Sequence, residues 1–484
     1  MLIEAAILIP AVGAVLIGLT GRYPNLREAI TLFASVSLFV VVARIYSSLN
    51  VGAVLEVELL EVVPGLSLSF AIEPLGMLFA LVASFLWIVT SIYSIGYMRS
   101  HKEQHQTRFY VCFALALAST MGITFSANMF TLFIFYELLT LTTYPLVTHS
   151  GTDEAKRSGR LYLGYLLGTS IGLQLLAIIW TWTIAGTLDF TEGGILAGKT
   201  SDVVITVLFV LYVFGIGKAA LMPFHRWLPA AMVAPIPVSA LLHAVAVVKA
   251  GVFTVLKVTL YIFGIDLLAT TGASEWLMYM AAATILIASI IAMSKDNLKA
   301  RLAYSTISQL SYVIMATAIL APMSIVGAGL HIVAHAFGKI TLFFAAGSIY
   351  TATKKTKVSQ LDGIGRRMPW TMLAFAIASL SMIGIPPTVG FISKWYILSG
   401  ALQTEQWIVV IVIIISTLLN AAYFLPIVYA AFFRQSADDE SGHYAEAPLP
   451  IVITLCLTAL ATLVLFLLPG IPLQLSQLLV QELP

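Results

Sequence analysis

Charged residues and cysteines are both scarce in this sequence. Lys, Arg, Asp and Glu make up 10% of the 484 residues, against about 25% in soluble globular domains, so a water-soluble fold is excluded. The two cysteines, Cys112 and Cys456, lie in apolar segments and are typical of small core residues, so they support neither a disulfide nor a metal site. The net charge of +2 is too small to indicate a nucleic-acid partner.

Long apolar runs fill most of the chain instead. Hydrophobic residues make up 60% of it, and roughly 20 consecutive apolar residues suffice to cross a bilayer as a helix. We therefore predict an all-α polytopic membrane protein with about fourteen spans. The first run has no basic residues before it, so we interpret it as a retained span rather than a cleaved signal peptide. The spans are predicted to begin near Leu2, Glu28, Leu75, Phe109, Asn128, Gly159, Asp202, Val238, Glu275, Arg301, Ile325, Pro369, Gln406 and Leu449.

The basic residues predict the orientation of these spans. Most Lys and Arg fall in loops after odd-numbered spans, whereas loops after even-numbered spans hold only Lys199. Since cytoplasmic loops carry the excess of basic residues, the odd loops are predicted to be cytoplasmic and both termini to lie outside the cell. The acidic loop "RQSADDESGHYAE" does not change this, because acidic residues contribute little to the rule. The predicted location is the inner (plasma) membrane.

A few charged residues lie within the apolar segments. A charge at the bilayer centre costs about 2.5–3.5 kcal/mol on insertion scales, so each must be paired, hydrated or neutral. Arg44 and Lys257 lie near predicted span ends, where we expect their side chains to snorkel to the interface. A structural salt bridge remains an alternative for Glu137. The full set is Arg44, Glu137, Lys218, Lys249, Lys257, Lys339 and Lys394.

The segment "LHIVAHAFGKITLFF" places His331, His335 and Lys339 four residues apart. Side chains at this spacing share one helix face, and histidine titrates near neutral pH. The pattern favours the wall of a hydrated proton path; histidines bonded to neighbouring carbonyls are the structural alternative.

Two predicted spans contain helix breakers. Gly215, Gly217 and Pro223 interrupt the seventh span, and Pro386 and Pro387 interrupt the twelfth. These spans lie an odd number apart, so they cross the membrane in opposite directions, which is the pattern of inverted-repeat transporters. The predicted units are residues 1–108 (spans one to three), 109–263 (first five-helix repeat), 275–433 (second, inverted five-helix repeat) and 449–484 (span fourteen and tail).

Three motifs resemble one known family. "GIGKAALMPFHRWLPAAMVAPIPVSALLHAVAVVKAGVF", with "YELLTLTTYPLV" before it and "KDNLKARLAYSTISQLSYV" after it, is similar to the antiporter-like subunits of respiratory complex I (L, M and N) and of Mrp-type sodium/proton antiporters (MrpA and MrpD). The resemblance runs from about residue 70 to 435.

The resemblance implies a proton relay. In it Glu137 would pair with Lys218 and tune its proton affinity, Lys249 would be the central relay lysine, and Lys394 the terminal exchange site. His225 and His243 are secondary candidates. The implied relay consists of Glu137, Lys218, Lys249, His331, His335, Lys339 and Lys394.

The resemblance also implies the partners. They would be other membrane subunits of a hetero-oligomeric complex and the lipid bilayer, with protons as cargo, Na⁺ left open for the complex as a whole, and no cofactor or metal in this chain. The motif "LAYSTISQLSY" suits MrpD, or a short chain similar to subunit L, better than subunit N, and MrpD is the preferred type. The alternative is a proton-pumping subunit of a redox complex related to complex I or to membrane-bound hydrogenases.

Two other classes of protein fit less well. A membrane zinc protease needs a His-Glu-x-x-His helix, whereas isoleucine follows His331. His331 and His335, one turn apart, cannot ligate opposite faces of one haem, although His243 could supply a second ligand. A structural subunit that has lost transport would be free to lose these costly charges. We therefore predict an ion-transporter subunit rather than an enzyme.

Overall fold

The computed structural model describes residues 1–50, 55–435 and 445–481, and this part of the chain is mostly helical. Apolar runs form helices because, inside lipid, a helix satisfies its own backbone polar groups. The first half contains α1 (Leu2–Leu19), α2 (Pro24–Asn50), β1 (Glu56–Val63), β2 (Leu66–Ala71), α3 (Pro74–Ser100), α4 (Gln106–Thr124), α5 (Met129–Val147), α6 (Asp153–Thr169), α7 (Leu175–Ala185), α8 (Asp202–Gly215) and α9 (Trp227–Ala230).

The second half continues the helical pattern. It contains α10 (Ile236–Ala240), α11 (Val247–Val258), α12 (Ile265–Thr271), α13 (Glu275–Ser294), α14 (Leu298–Ala318), α15 (Pro322–Thr353), α16 (Ile364–Arg367), α17 (Pro369–Ile383), α18 (Val389–Gln403), α19 (Trp407–Phe433), α20 (Leu449–Leu467) and α21 (Gly470–Gln481). Single π-helical turns at Ser170–Gln174, Leu241–Val245 and Thr259–Phe263 interrupt or extend the helices.

Ten helices of the described chain are long and apolar enough to cross a membrane. The predicted spans that are not among them are short, bent or polar. The seventh, α8, has 14 residues; the eighth bends by 83° between α11 and α12; the tenth, α14, is rich in polar side chains; and the twelfth is divided into α17 and α18. The count of about fourteen therefore stays a prediction.

A β-hairpin after α2 was not expected from the hydropathy pattern. β1 and β2 pair antiparallel, with Glu56 opposite Ala71. Pro64 and Gly65 form the turn, and Gly65 has φ +81°, the combination that favours a type II turn. The side chain of Asn128 donates to the Ser67 carbonyl at 2.8 Å, so the hairpin is fastened to the start of α5. The Pro-Gly dipeptide followed by the alternating run "LSLSFA" was the available signal.

Helix α15 forms the centre of the fold. The apolar stretch of this helix that is long enough to cross a membrane is completely buried. The helix packs against α3, α14, α17, α18, α20 and α21. A helix buried on every side must satisfy its polar residues within the protein. The side chains of His331, His335 and Lys339 are at most 1% exposed, so their partners lie on the surrounding helices.

Candidate functional site

The first helix break places Lys218 inside the protein. Helix α8 ends at Gly215, and Lys218 lies in the one-turn 3₁₀ segment Gly217–Ala219. Its side chain is fully buried. The ammonium nitrogen Nζ donates to the Tyr136 carbonyl at 2.8 Å and to Thr140 Oγ1 at 2.6 Å, and it lies 3.2 Å from the centroid of the Tyr136 ring. The predicted break therefore holds an amine against α5.

The direct pair between Glu137 and Lys218 is not formed. Within the described chain, both carboxylate oxygens of Glu137 are enclosed and accept no hydrogen bond, and Lys218 donates to its neighbours on α5 instead. Glu137 is one residue from Tyr136 and three from Thr140, so it lies on the same turn of α5 as the groups that accept from the amine. The carboxylate is a near neighbour of the amine rather than its ligand.

Gly251 lets α11 approach this break closely. A Cβ at position 251 would overlap the backbone nitrogen of Ala219 and the carbonyl carbon of Lys218. The absence of a side chain thus sets the position of Lys218 relative to Lys249, two residues before Gly251.

We expect Gly251→Ala to move the Lys218 segment. Overpacking of a filled core costs about 1–3 kcal/mol, so the thermal midpoint of the purified protein should fall and transport should weaken. Gly164→Ala is the matched control, because a Cβ there meets open space and alanine favours a helix by about 1 kcal/mol. A Gly251→Ala protein as stable as the Gly164→Ala protein would contradict the close packing.

Lys249 contacts the histidine face directly. Its Nζ lies 2.7 Å from His335 Nδ1, and both side chains are fully buried. At that distance one proton lies between the two nitrogens, because an ammonium donates to the ring and a neutral amine can accept from it. The pair can therefore exchange a proton without a bridging water.

His331 is the next polar group along α15. Its ring centroid lies 6.4 Å from that of His335. Its Nδ1 lies 2.9 Å from Ser393 Oγ on α18, and its Nε2 lies 3.1 Å from Gln309 Oε1 on α14. His331 thus joins α14, α15 and α18.

The second helix break holds Lys394. Helix α17 ends at Ile383 and is followed by Gly384 with φ +89°, and carbonyls of its last turn lack helical partners. Lys394 Nζ donates to two of these carbonyls, to that of Ile383 at 2.8 Å and to that of Met382 at 3.1 Å. Pro386 and Pro387 follow the glycine and prevent the helix from continuing.

Lys339 lies on a branch rather than between the histidines and Lys394. On α15 it follows His335 by one turn, on the side away from His331. Its Nζ donates to Ser305 Oγ at 2.5 Å, and Tyr423 also donates to Ser305, at 2.9 Å. The amine of Lys339 therefore contacts α14, whereas the contact with Ser393 on α18 is made by His331. On α15, His335 therefore lies between His331 on one side and Lys339 on the other.

The secondary candidates are less informative. His225 follows Pro223 and is half-buried, with its ring 6.3 Å from that of Tyr304 on α14. The side chain of His243 lies outside the described residues.

The snorkelling expected of Lys257 is wrong. Its side chain is fully buried and forms an ion pair of 2.9 Å with Glu73, at the start of α3. It also donates to the Ser126 carbonyl at 2.8 Å. Glu73 lies between β2 and α3, so the hairpin determines its position. It pairs with Lys257, which is far from it in sequence. Arg44, by contrast, is exposed, and its snorkelling stays a prediction.

The site is rich in amines and poor in carboxylates. In residues 1–50, 55–435 and 445–481, no Asp or Glu forms an ion pair with Lys218, Lys249, Lys339 or Lys394. Charges buried together in low dielectric repel, so protonation of one of these amines disfavours protonation of its neighbours. Within those residues no group of three His, Cys, Asp or Glu could hold a metal. The arrangement is suited to holding and passing protons.

Comparison with known proteins identifies the family. Residues 126–420 match the family model described as the transmembrane region of NADH:quinone oxidoreductases and Mrp antiporters. The chain belongs to this family. Residues 64–110 match a second model, the N-terminus of chain 5 of complex I. The resemblance inferred from the motifs is confirmed.

Curated relatives come from both kinds of assembly. The chain is 34% identical over 393 residues to the N subunit of NADH-quinone oxidoreductase of Desulforudis audaxviator, covering 80% of this chain and 77% of that one. It is 30% identical over 450 residues to a probable K⁺/H⁺ antiporter protein of the A/B type from Rhizobium meliloti, covering 89% of this chain but 44% of the relative. The chain thus spans about half the length of several antiporter relatives that it matches.

Two solved complexes share the fold. A chain of the Mrp complex from Dietzia sp. DQ12-45-1b superposes with a TM-score of 0.87 at 20% identity, covering 100% of this chain and 98% of that one. A chain of the archaeal membrane-bound sulfane sulfur reductase superposes with a TM-score of 0.89 at 22% identity, covering 99% and 97%. The chain is therefore a multi-pass membrane protein with the antiporter-like fold.

Proposed function

We propose that this chain translocates protons as an antiporter-like subunit of a multisubunit cation/proton antiporter of the Mrp type, similar to MrpD. The proposed relay runs from Glu137 and Lys218 to Lys249 and the histidine face, and on to Lys394, with Lys339 on a branch from His335. The observation that carries the proposal is the direct contact of Lys249 with His335, fully buried between the two breaks.

The relay would work by shifting single protons. Burial disfavours a charged amine and a nearby carboxylate favours it, so a modest movement of Glu137 toward Lys218 would make Lys218 hold a proton. Its withdrawal would release that proton toward Lys249. Because the charges repel along the row, each arrival would favour the next departure, and the same repulsion would couple this chain to neighbouring subunits.

The proposed frame comprises about fourteen spans and two inverted repeats, residues 109–263 and 275–433. The two breaks support it, because a lysine near each of them donates to a backbone carbonyl, that of Tyr136 on α5 in one case and that of Ile383 on α17 in the other. Both termini would lie outside the cell, in the plasma membrane, and the partners would be other membrane subunits. Na⁺ would be handled by the complex as a whole.

A second candidate function is proton pumping within a redox-driven complex. The match to the N subunit of a quinone oxidoreductase, which extends over 80% of this chain, favours it. The same relay would then serve a different driving reaction. Purification of the chain with its native partners decides between the two, since flavin and iron–sulfur subunits would accompany it only in the second.

We expect Lys218→Met to lower proton transport by about a hundredfold, the loss typical when one positioned proton-transfer group is removed. Glu137→Gln should act in the same direction. Dye-monitored proton uptake into inverted membrane vesicles measures the rate, and native gels measure assembly. Lys156→Gln, which removes an exposed lysine, is the control. If Lys218→Met or Glu137→Gln assembles and transports at the control rate, the relay assignment fails.

A further inference from the structure

We propose that Gln309 fixes the tautomer of His331, so that ring atom Nδ1, facing Ser393, is where His331 takes up and releases its proton. The inference rests on the proposed relay and adds a positioning residue to it. Gln309 is fully buried on α14. It is uncharged, which is why a search for buried charges passes over it.

The orientation of the Gln309 amide follows from its neighbours. Its nitrogen Nε2 lies 3.2 Å from the Met382 carbonyl, and its oxygen Oε1 lies 3.1 Å from His331 Nε2. A carbonyl can only accept a hydrogen bond. Turning the amide over would place its oxygen against the oxygen of Met382, so the NH₂ group must face Met382 and Oε1 must face the ring.

The orientation of the amide then determines the tautomer of the ring. Oε1 can only accept, so His331 Nε2 must carry a hydrogen. That holds for the neutral ring and for the imidazolium alike. The atom that changes protonation is therefore Nδ1.

Ser393 can accommodate both states of Nδ1. Its Oγ lies 2.9 Å from Nδ1 and 3.0 Å from the Gly390 carbonyl. When the ring is neutral, the hydroxyl donates to Nδ1. When Nδ1 is protonated, it donates to Oγ, and the hydroxyl turns to Gly390. Each state leaves both ring nitrogens with a partner, so a rotation of one hydroxyl accompanies each proton transfer.

The second break supplies the anchor for this arrangement. The Met382 carbonyl accepts from Gln309 at 3.2 Å and from Lys394 at 3.1 Å. It is available to both because α17 ends there. Gln309 therefore ties the state of His331 to the same carbonyl that holds Lys394.

The experiment measures which ring nitrogen carries the proton. The full-length chain, labelled with ¹⁵N,¹³C-histidine and reconstituted in lipid bilayers, is studied by solid-state NMR at a pH where His331 is neutral. Loss of a signal in His331→Gln assigns it. We expect the wild-type ring to be protonated at Nε2. In Gln309→Leu, Nε2–H has no acceptor, so we expect the proton to move to Nδ1, which can donate to Ser393. Gln309→Glu restores the acceptor and should return the proton to Nε2.

Ser311→Ala is the matched control on the same helix, because Ser311 is buried and donates to the helix's own Ile307 carbonyl. It should leave the tautomer unchanged. A wild-type His331 protonated at Nδ1 would overturn the inference, as would a Gln309→Leu ring that keeps its proton on Nε2.

Transport provides a second readout. Gln309→Leu should transport about ten- to a hundredfold more slowly, by analogy with the loss found when the residue that orients a metal-ligating histidine is removed, and Gln309→Glu should recover part of the rate. The two proposals fail separately. Normal transport by Lys218→Met overturns the relay whatever the tautomer. An inactive Lys218→Met together with an unchanged tautomer in Gln309→Leu overturns only the role of Gln309.

Discussion

Replacing Lys249 by methionine is expected to reduce proton transport to background, about ten-thousandfold below wild type, the upper end of the effect of one acid–base group. Methionine matches the length of the lysine stem but can neither donate nor accept a proton. His335 would then face a thioether at the position where the amine lies 2.7 Å away. The direct step between Lys249 and His335 would therefore be lost.

The same substitution should leave the protein stable. Lys249 has no carboxylate within ion-pair distance in the described chain, so methionine leaves no unpaired carboxylate behind, and it removes an amine whose burial in charged form is itself costly. The thermal midpoint should therefore stay at or above the wild-type value while transport is lost. Dye-monitored uptake and thermal unfolding of the same preparation test both halves. Retained transport would remove Lys249 from the relay, and lost stability together with lost transport would show that its role is structural.

Helix periodicity explains why the histidine face could be predicted. His331, His335 and Lys339 share a face by spacing alone, and the structure gives them one face of α15. The two helix breaks could also be predicted from the sequence, because glycine and proline act on the backbone locally. Both lysines beside the breaks donate to backbone carbonyls, a detail that depends on tertiary packing and is absent from the spacing.

Features that depend on chain reversal were not accessible in the same way. Lys257 lies near a predicted span end, and distance along the chain cannot reveal that the hairpin returns Glu73 to it. The direction of the Glu137 side chain depends on how α5 is rotated in the bundle.

Gln309 was overlooked for another reason. Insertion cost singles out charges, whereas an amide inside the membrane is cheap enough to escape notice. The spacing of Ser305, Gln309 and Tyr312 on one face of α14 was the available signal.

The ion pair of Glu73 and Lys257 carries the largest expected effect on stability. Removing one partner of a buried pair costs about 3–5 kcal/mol, because the other charge is left uncompensated. The two single variants should differ. Lys257 is fully buried, whereas the Glu73 side chain is 17% exposed and borders a cavity of about 660 Å³ that also receives Glu56, Glu58, Asp189 and Glu192. After Lys257→Met, the Glu73 carboxylate can turn toward that cavity, whereas after Glu73→Gln the amine of Lys257 has no such route.

We therefore expect Glu73→Gln to destabilise the protein more than Lys257→Met, and the double variant to be more stable than Glu73→Gln alone. Thermal unfolding of the four proteins in one detergent gives the coupling between the two sites. Lys199→Met, which removes a lysine from an exposed loop, controls for loss of charge. Equal losses from the two single variants would mean that Glu73 cannot reach the cavity. Additive losses in the double variant would mean that the pair contributes nothing, and Lys257 would then be held by the Ser126 carbonyl alone.

Lys249 and Lys257 have different expected roles although both lie on α11. Loss of Lys249 should abolish transport, whereas loss of Lys257 should weaken the fold.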